Sequence, residues 1–393
     1  MKFLKTFIFL LIISIVSCDS SLLEEKNKAE QFAQLVKLTD TPDQRVELFD
    51  IDFEIKGEKL ILKGFATKKS PLLKVRNFLV RQGTDFIDNV RVLPDTAVGN
   101  YKYAVARNSV INIRSEPKHS AELGTQALLG MPLKVLDKQG DFYRVQTPDN
   151  YISWVDKGGI TPMNKSEFDA WKNSEKVIFT ETFGHVYSNK EMKAIISDIS
   201  LGGMLQLISE DNLFYEVKYP DNRIGFVKKE NAYKYDDWVK KLNPNELSIE
   251  VIAKKMDGFP YLWGGTSAKG MDCSGFTKMV YLMNGFIIPR DASQQVQAGK
   301  LVDKNLDFSD LQKGDLLFFG KKATEESKEK VTHVGIWLNN NKQEFIHASG
   351  NVHISSMDES HPLYDEFNKN RYLGSRRYLG IKDKNIIDLK SSF

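Results

Sequence analysis

Of the two cysteines in this 393-residue chain, Cys273 stands in Asp272-Cys273-Ser274-Gly275-Phe276, directly ahead of an amphipathic stretch. A thiol in the first turn of a helix meets the positive end of the dipole and unpaired amides, which favour its thiolate. Asp272 is a suitable N-cap for that helix. Downstream, His333-Val334-Gly335-Ile336-Trp337-Leu338 and Glu344-Phe345-Ile346-His347-Ala348-Ser349 read as a β-hairpin. If Leu338 faces Glu344, His333 faces Ser349 and His347 faces Gly335, so both imidazoles share one face as diagonal neighbours. A slip of one residue would separate them. The set Cys273, His333 and His347 suits nucleophilic catalysis in which His333 takes the thiol proton and His347 orients it. The bland alternatives are a small buried thiol and two satisfied polar histidines. Flanking Asp, Ser and Gly argue for a thiol that is neither buried nor inert. A zinc site is the third alternative, but neither CxxC nor HExxH spacing occurs, and no metal and no cofactor are expected. His353 and His361 fall in a polar loop region and receive no role.

The elements that must position these groups follow from periodicity. Residues 247–257 and 273–284 read as helices, the second with Phe276, Met279, Val280 and Met283 at helical spacing and Asn284-Gly285 as its C-cap. Strands are predicted at 315–319, 333–338 and 344–349, with the charged segment Lys321 to Lys330 as a solvated loop.

Upstream, an internal repeat spans the middle of the chain. Phe142-Tyr143-Arg144-Val145 and Pro148-Asp149-Asn150 recur as Phe214-Tyr215-Glu216-Val217 and Pro220-Asp221-Asn222, a shift of 72. Each copy alternates short strands with turn-forming clusters, the pattern of a small β-barrel, over 102–175 and 176–242. The copies differ at Tyr151, which becomes Arg223, and at Glu116, which has no acidic counterpart. Those two residues are either ordinary surface loop chemistry or a wall lent to a neighbouring site. Residues 41–97 read as a small β-β-α-β unit, and 18–40 as a polar, helix-prone spacer.

At the N-terminus, Lys2 and Lys5 precede the apolar run Phe7 to Val16, too short to span a bilayer but suited to an export signal over residues 1–17. Ile15-Val16-Ser17-Cys18 resembles a bacterial lipoprotein cleavage site, which makes Cys18 the expected lipidation position and a lipid-anchored, exported envelope protein the expected localisation. Cys273 is then left without a disulfide partner. Lys and Arg total 55 against 52 acids; losing Lys2 and Lys5 with the signal leaves 53 against 52. That near-balance excludes the basic footprint of a nucleic-acid binder.

The ordered motifs Tyr261-x-Trp263-Gly264-Gly265, Asp272-Cys273-Ser274-Gly275-Phe276, Pro289-Arg290-Asp291-Ala292-Ser293-Gln294-Gln295, Lys313-Gly314-Asp315-Leu316 and His333-Val334-Gly335-Ile336 together resemble the NlpC family of bacterial cell-wall cysteine peptidases. The resemblance implies a multidomain chain. A papain-like α+β catalytic domain over 243–393 would be preceded by two small SH3-like β-barrels and a small N-terminal α+β unit. It assigns Cys273 as nucleophile, His333 as base, His347 as third polar residue and Tyr261 as support for the oxyanion. The paired barrels make the chain similar to the subgroup that cleaves γ-D-glutamyl bonds to a diamino acid. In that subgroup Glu116, Tyr151 and Asp291 would read the free amine of an N-terminal L-alanine. Trp263 and Ser274 would line the D-glutamate region, and Asp272 is counted among the substrate-binding residues. Ala292 departs from an expected serine, and the neighbouring Arg290 is placed to compensate in part. The expected substrate is a free murein peptide, L-Ala-γ-D-Glu–diamino acid, with lysine or diaminopimelate third, cleaved by a monomer. The alternatives are an endopeptidase on intact, glycan-attached wall and a catalytically silent wall-binding protein.

Overall fold

The computed structural model describes residues 2–391, with side chains from residue 21 onward. The side chains of the export signal over 1–17 and of Cys18 lie outside the described residues. Two compact units divide the chain at Gly99.

In the first unit, the hairpin Phe49–Lys56 and Lys59–Ala66 turns at Gly57, whose φ of 62° suits a residue without a Cβ. The helix Lys69–Gln82 then crosses over to Phe86–Val92, which pairs parallel to the second strand. Segment 18–40 departs from its reading as a spacer. It belongs to the helix Lys2–Asp40, whose Ala29, Ala33 and Val36 recur on one face and join the core of Phe53, Leu62, Val75 and Leu79. Phe32 stacks on Phe78 at 4.3 Å. A spacer would have kept this stripe polar.

The second unit holds both repeats and everything after them. Each repeat forms a seven-stranded sheet with the same strand order, so the shift seen in the sequence is a repeated topology. The seven strands of each copy are only three to eight residues long, and several turns fall on positive-φ residues such as Gly130, Gly140, Asn150 and Asn222. The two barrels touch directly. Met204 N donates to Leu129 O at 2.8 Å, and Gly130, at φ 80°, has no room for a Cβ beside the Met204 carbonyl.

Beyond residue 243 a six-stranded antiparallel sheet runs in the order Lys300–Val302, Tyr372–Arg377, Leu316–Lys321, Lys330–Asn339, Glu344–Ser349, Asn351–Ser356. The helix Cys273–Met283 packs Phe276, Met279, Val280 and Met283 against Leu316, Phe318, Val334 and Ile336. The sequence pattern treats this helix as one-sided, yet residues Cys273 to Tyr281 are all buried. The first barrel covers the other side. Lys278 donates to Asp149 of that barrel at 2.6 Å with both side chains buried, and Thr277 bonds Gln295 at 2.8 Å. Residues 102–175 and 243–393 are therefore not separately solvated domains.

Removing one partner of a buried pair leaves an uncompensated charge, at a cost of about 3–5 kcal/mol. Asp149→Ala should lower stability in urea unfolding by that order, while the apolar pair Asp149→Leu with Lys278→Met should recover most of it. Equal midpoints for all three proteins would show that the pair is solvated.

Candidate active site

Asp272 caps the central helix, accepting from Gly275 N at 2.7 Å with a backbone φ of −86°. Its carboxylate also accepts from Gly264 N at 3.0 Å, from Ser274 Oγ at 3.2 Å, and from both terminal nitrogens of Arg290 at 3.1 and 2.7 Å. Arg290 donates further to Ser274 Oγ at 2.8 Å and is only 1% exposed. Asp272, Ser274 and Arg290, the expected substrate-binding residues, are thus bonded to one another. Both Arg290 terminal nitrogens, the Asp272 carboxylate and Ser274 Oγ are bonded among themselves, while Arg290 Nε has no hydrogen-bond partner among the described residues, and Arg290 is a buried strut between the helix start and the 289–291 loop.

Cys273 begins the helix, 7% exposed. It packs in one core with Val334, the residue after His333. Burial and the Asp272 carboxylate push the thiol up to about 12, against the pull of the Val334 and Ser274 amides and of Arg290. The sequence expectation of an accessible, easily ionised thiol therefore fails for the resting protein. The dipole acts, but desolvation and an adjacent carboxylate outweigh it. Cys273 belongs to the apolar core with Met271, Phe276 and Val334, and Asp272 and Arg290 also act on it.

The histidine hairpin keeps the expected register, with Ile336 opposite Ile346 and Trp337 opposite Phe345. One detail differs: Asn339, not Leu338, faces Glu344, because Leu338 bulges out of the ladder beyond the histidines. His333 Nε2 and His347 Nδ1 lie 2.7 Å apart, and His347 Nε2 lies 3.1 Å from Ser355 Oγ and 3.9 Å from Asp365. If His333 is to accept a proton at Nδ1, its Nε2–H donates to His347, whose Nε2–H then donates to Ser355. Burial holds His333 well below the usual histidine range, reinforced by His347, Arg371 and His353. Burial and His353 likewise lower His347 to about 3. The resting site thus holds a neutral thiol and two neutral rings.

His353 was read as a loop residue. It lies in the strand Asn351–Ser356, paired with His347, its ring 4.5 Å away. With Ser355 and Asp365 it was missed because strand pairing across a tight turn at Gly350 leaves no helical or heptad signature. The alternation His353, Ser355 was the only available hint. A second bulge sits beside His333: Phe319 pairs with His333 and Gly320 with Val331, leaving Thr332 outside the ladder.

Tyr261 is half-buried, and burial together with Cys273 and Asp272 pushes its hydroxyl up to about 12. It remains a donor within electrostatic reach of the nucleophile. Tyr151 is half-buried and acts on Arg290. Asp291 starts the short helix Ala292–Gln295 and lies 3.8 Å from Arg290. Glu116 does not meet Asp291 in a buried pocket. Its side chain is 60% exposed and paired with Lys118 at 2.8 Å. Trp263 is 63% exposed and donates to Glu122 of the first barrel at 2.6 Å, so it ties the 261–265 loop to that barrel. The same contact explains Gly264, at φ 77°, where a Cβ would collide with the Leu123 carbonyl. Among the described residues no His, Cys, Asp and Glu cluster could hold a metal ion.

A thiol at a helix start, an adjacent strand histidine and a second polar group behind it define the cysteine-peptidase class. Residues 258–371 match the NlpC/P60 family and residues 109–161 the bacterial SH3 domain. A gamma-D-glutamyl-L-lysine dipeptidyl-peptidase of Bacillus cereus is 34% identical over 269 residues, covering 66% of this chain and 76% of the relative. A dipeptidyl-peptidase 6 of Lysinibacillus sphaericus is 27% identical, covering 66% and 94%. The crystal structure of an NlpC/P60 family protein from Bacillus cereus aligns over 70% of this chain and 99% of its own, with 28% identity and a TM-score of 0.58. The chain belongs to the NlpC/P60 family of peptidoglycan-related peptidases and carries the bacterial SH3 fold beside its peptidase domain.

Two measurements check the electrostatics. Because the folded rings stay neutral while unfolded histidine titrates near 6.5, the unfolded chain binds more protons below that pH. Stability is therefore full above pH 6.5 and lost as pH falls below it, for His347 down to about 3, by about 1.4 kcal/mol per unit. His347→Gln should flatten this slope in a thermal-unfolding pH series. For the thiol, iodoacetamide alkylation should keep accelerating above pH 9, with no plateau near neutrality.

Proposed function

We propose that this chain is a cysteine-type γ-D-glutamyl–diamino acid peptidase acting on free murein peptides that begin with L-alanine, releasing L-Ala-D-Glu. The observation that carries the reading is the bonded line His333, His347 and Ser355 in the sheet against which the Cys273 helix packs, with a barrel loop bearing Tyr151 tied to that helix through Asp149. The printed activity of the Bacillus cereus relative supports the bond chosen. The localisation we infer is a lipid-anchored envelope protein held through Cys18, working as a monomer without cofactor.

Cys273 is the nucleophile. As the substrate carbonyl approaches, the thiol proton passes to His333 Nδ1 while the carbon–sulfur bond forms. His347 and Ser355 stabilise the imidazolium as it appears. Helix-start amides and the Tyr261 hydroxyl stabilise the oxyanion. His333 then returns its proton to the leaving amine as the carbon–nitrogen bond breaks. Water, deprotonated by His333, cleaves the thioester and restores the thiol.

Selectivity for a free amine falls to Glu116, Tyr151 and Asp291. Glu116 must leave Lys118 to reach an ammonium, which is cheap because an exposed pair is worth about 0–1 kcal/mol. Trp263 borders the site through the loop it anchors. Asp272, Ser274 and Arg290 keep the pocket floor rigid.

The test is mass spectrometry of products from L-Ala-γ-D-Glu-L-Lys and its N-acetyl form. Cys273→Ala should abolish cleavage, and Glu116→Ala should reduce the free-amine peptide about tenfold more than the acetylated one, in line with losing a charge-assisted bond. Cleavage by Cys273→Ala would overturn the mechanism. Equal losses would overturn the amine pocket, and release of peptide from intact sacculi would favour a wall endopeptidase.

A further inference from the structure

Arg371 follows the short helix Glu366–Asn370 and is half-buried on the His333 side of the site. Its Nη1 donates to Thr332 Oγ1 at 3.1 Å and its Nε to Asn368 Oδ1 at 3.0 Å. Thr332 is the residue that the bulge beside His333 pushes out of the ladder. The guanidinium lies 5.8 Å from the Phe319 ring and 4.4 Å from the Phe367 ring, and the Phe319 ring is itself 5.6 Å from His333. Its charge is felt by His333 and His347, and it interacts with Cys273. Two nitrogens are thus bonded and two aromatic rings lie near the guanidinium, while Nη2 has no hydrogen-bond partner among the described residues.

Nor does any carboxylate among the described residues pair with it. Asp365, the acid that acts on Arg371, is occupied as the cap of the short helix, accepting from Asn368 N at 2.9 Å. A fixed, half-buried guanidinium with an open edge beside a nucleophile is built to receive a planar anion. Phe367, 70% exposed, serves no core and acts as the plate that aims it.

The reaction says which anion. Resting on the peptidase reading above, the expelled nitrogen takes its proton from His333, so the departing residue lies on the His333 side. In a peptide that ends at the diamino acid, one carbon separates that nitrogen from a free α-carboxylate. We propose that Arg371 binds the α-carboxylate of the departing diamino acid, making it the determinant that favours peptides ending at that residue over longer stems. In a longer stem this carboxylate is an amide, which carries no charge.

The experiment measures binding separately from turnover. Calorimetry on the Cys273→Ala protein compares L-Ala-γ-D-Glu-L-Lys with its C-terminal amide, with and without Arg371→Met, which keeps much of the apolar stem. The acid should bind about ten- to a hundredfold more tightly than the amide, as for a hydrogen bond to a charged group. Arg371→Met should bring the two together by weakening the acid alone, and Arg371→Lys should restore part of the gap. Equal affinities in the parent, or a gap that survives Arg371→Met, overturns the assignment. A merely structural role would weaken both ligands alike, which also overturns it. The parent comparison needs no Arg371 variant, so a variant that fails to fold does not shield the proposal. Failure of the wild-type protein to cleave the tripeptide would overturn the peptidase reading, whereas the acid-to-amide gap reads Arg371 independently.

Discussion

The site depends on one buried carboxylate. Asp272 holds the helix start, the amide of Gly264, the hydroxyl of Ser274 and the guanidinium of Arg290 at once. Taking an ion pair out of water is costly, and the pair persists only where its remaining hydrogen bonds are made. That requirement draws the 261–265 loop, the nucleophile helix and the 289–291 loop into one arrangement. It also places a negative charge next to Cys273, which raises the thiol that the helix start would otherwise acidify. Rigidity and ready ionisation oppose each other here, and rigidity prevails in the resting state. His333, His347 and Ser355 form one hydrogen-bonded line in the neighbouring sheet.

The two barrels share a topology but not a task. The first is joined to the peptidase core by Gln126 with Thr266 and Ser267, by Asp149 with Lys278, and by the close approach of Leu123 to Gly264. In the second, Asp221 is bonded to its own neighbour Arg223, which reaches back to the Arg107 carbonyl of the first barrel. One copy therefore forms a wall and the other braces it. The divergence of Tyr151 and Arg223 at the same repeat position follows that split, since only the first loop faces Arg290.

Bulges shape the rest. A strand that paired residue for residue would leave Thr332 in the ladder. Its displacement frees the hydroxyl to hold Arg371 and bends the sheet at His333. The bulge at Leu338 lies farther along the strand and leaves the two histidines in register.

Local rules sufficed for a good part of this. Asp before Cys at a helix start, the i, i+3, i+4, i+7 run of Phe276 to Met283, the histidine alternation and the shift of 72 all depend on neighbours in the chain, and each is legible in the letters. What the letters lack is burial, because it is decided by segments far apart. Only the closed tertiary structure turns Lys278 inward against Asp149, seals Arg290, sets Glu116 beside Lys118 in solvent, and packs the helix before residue 40 onto a sheet. Charge state follows burial, since desolvation acts on the whole surroundings of an atom. The chain thus carried by itself the motifs that nominate Cys273, His333 and His347, and the fold alone decided which side chains are buried, which are committed to each other, and where Arg371 stands.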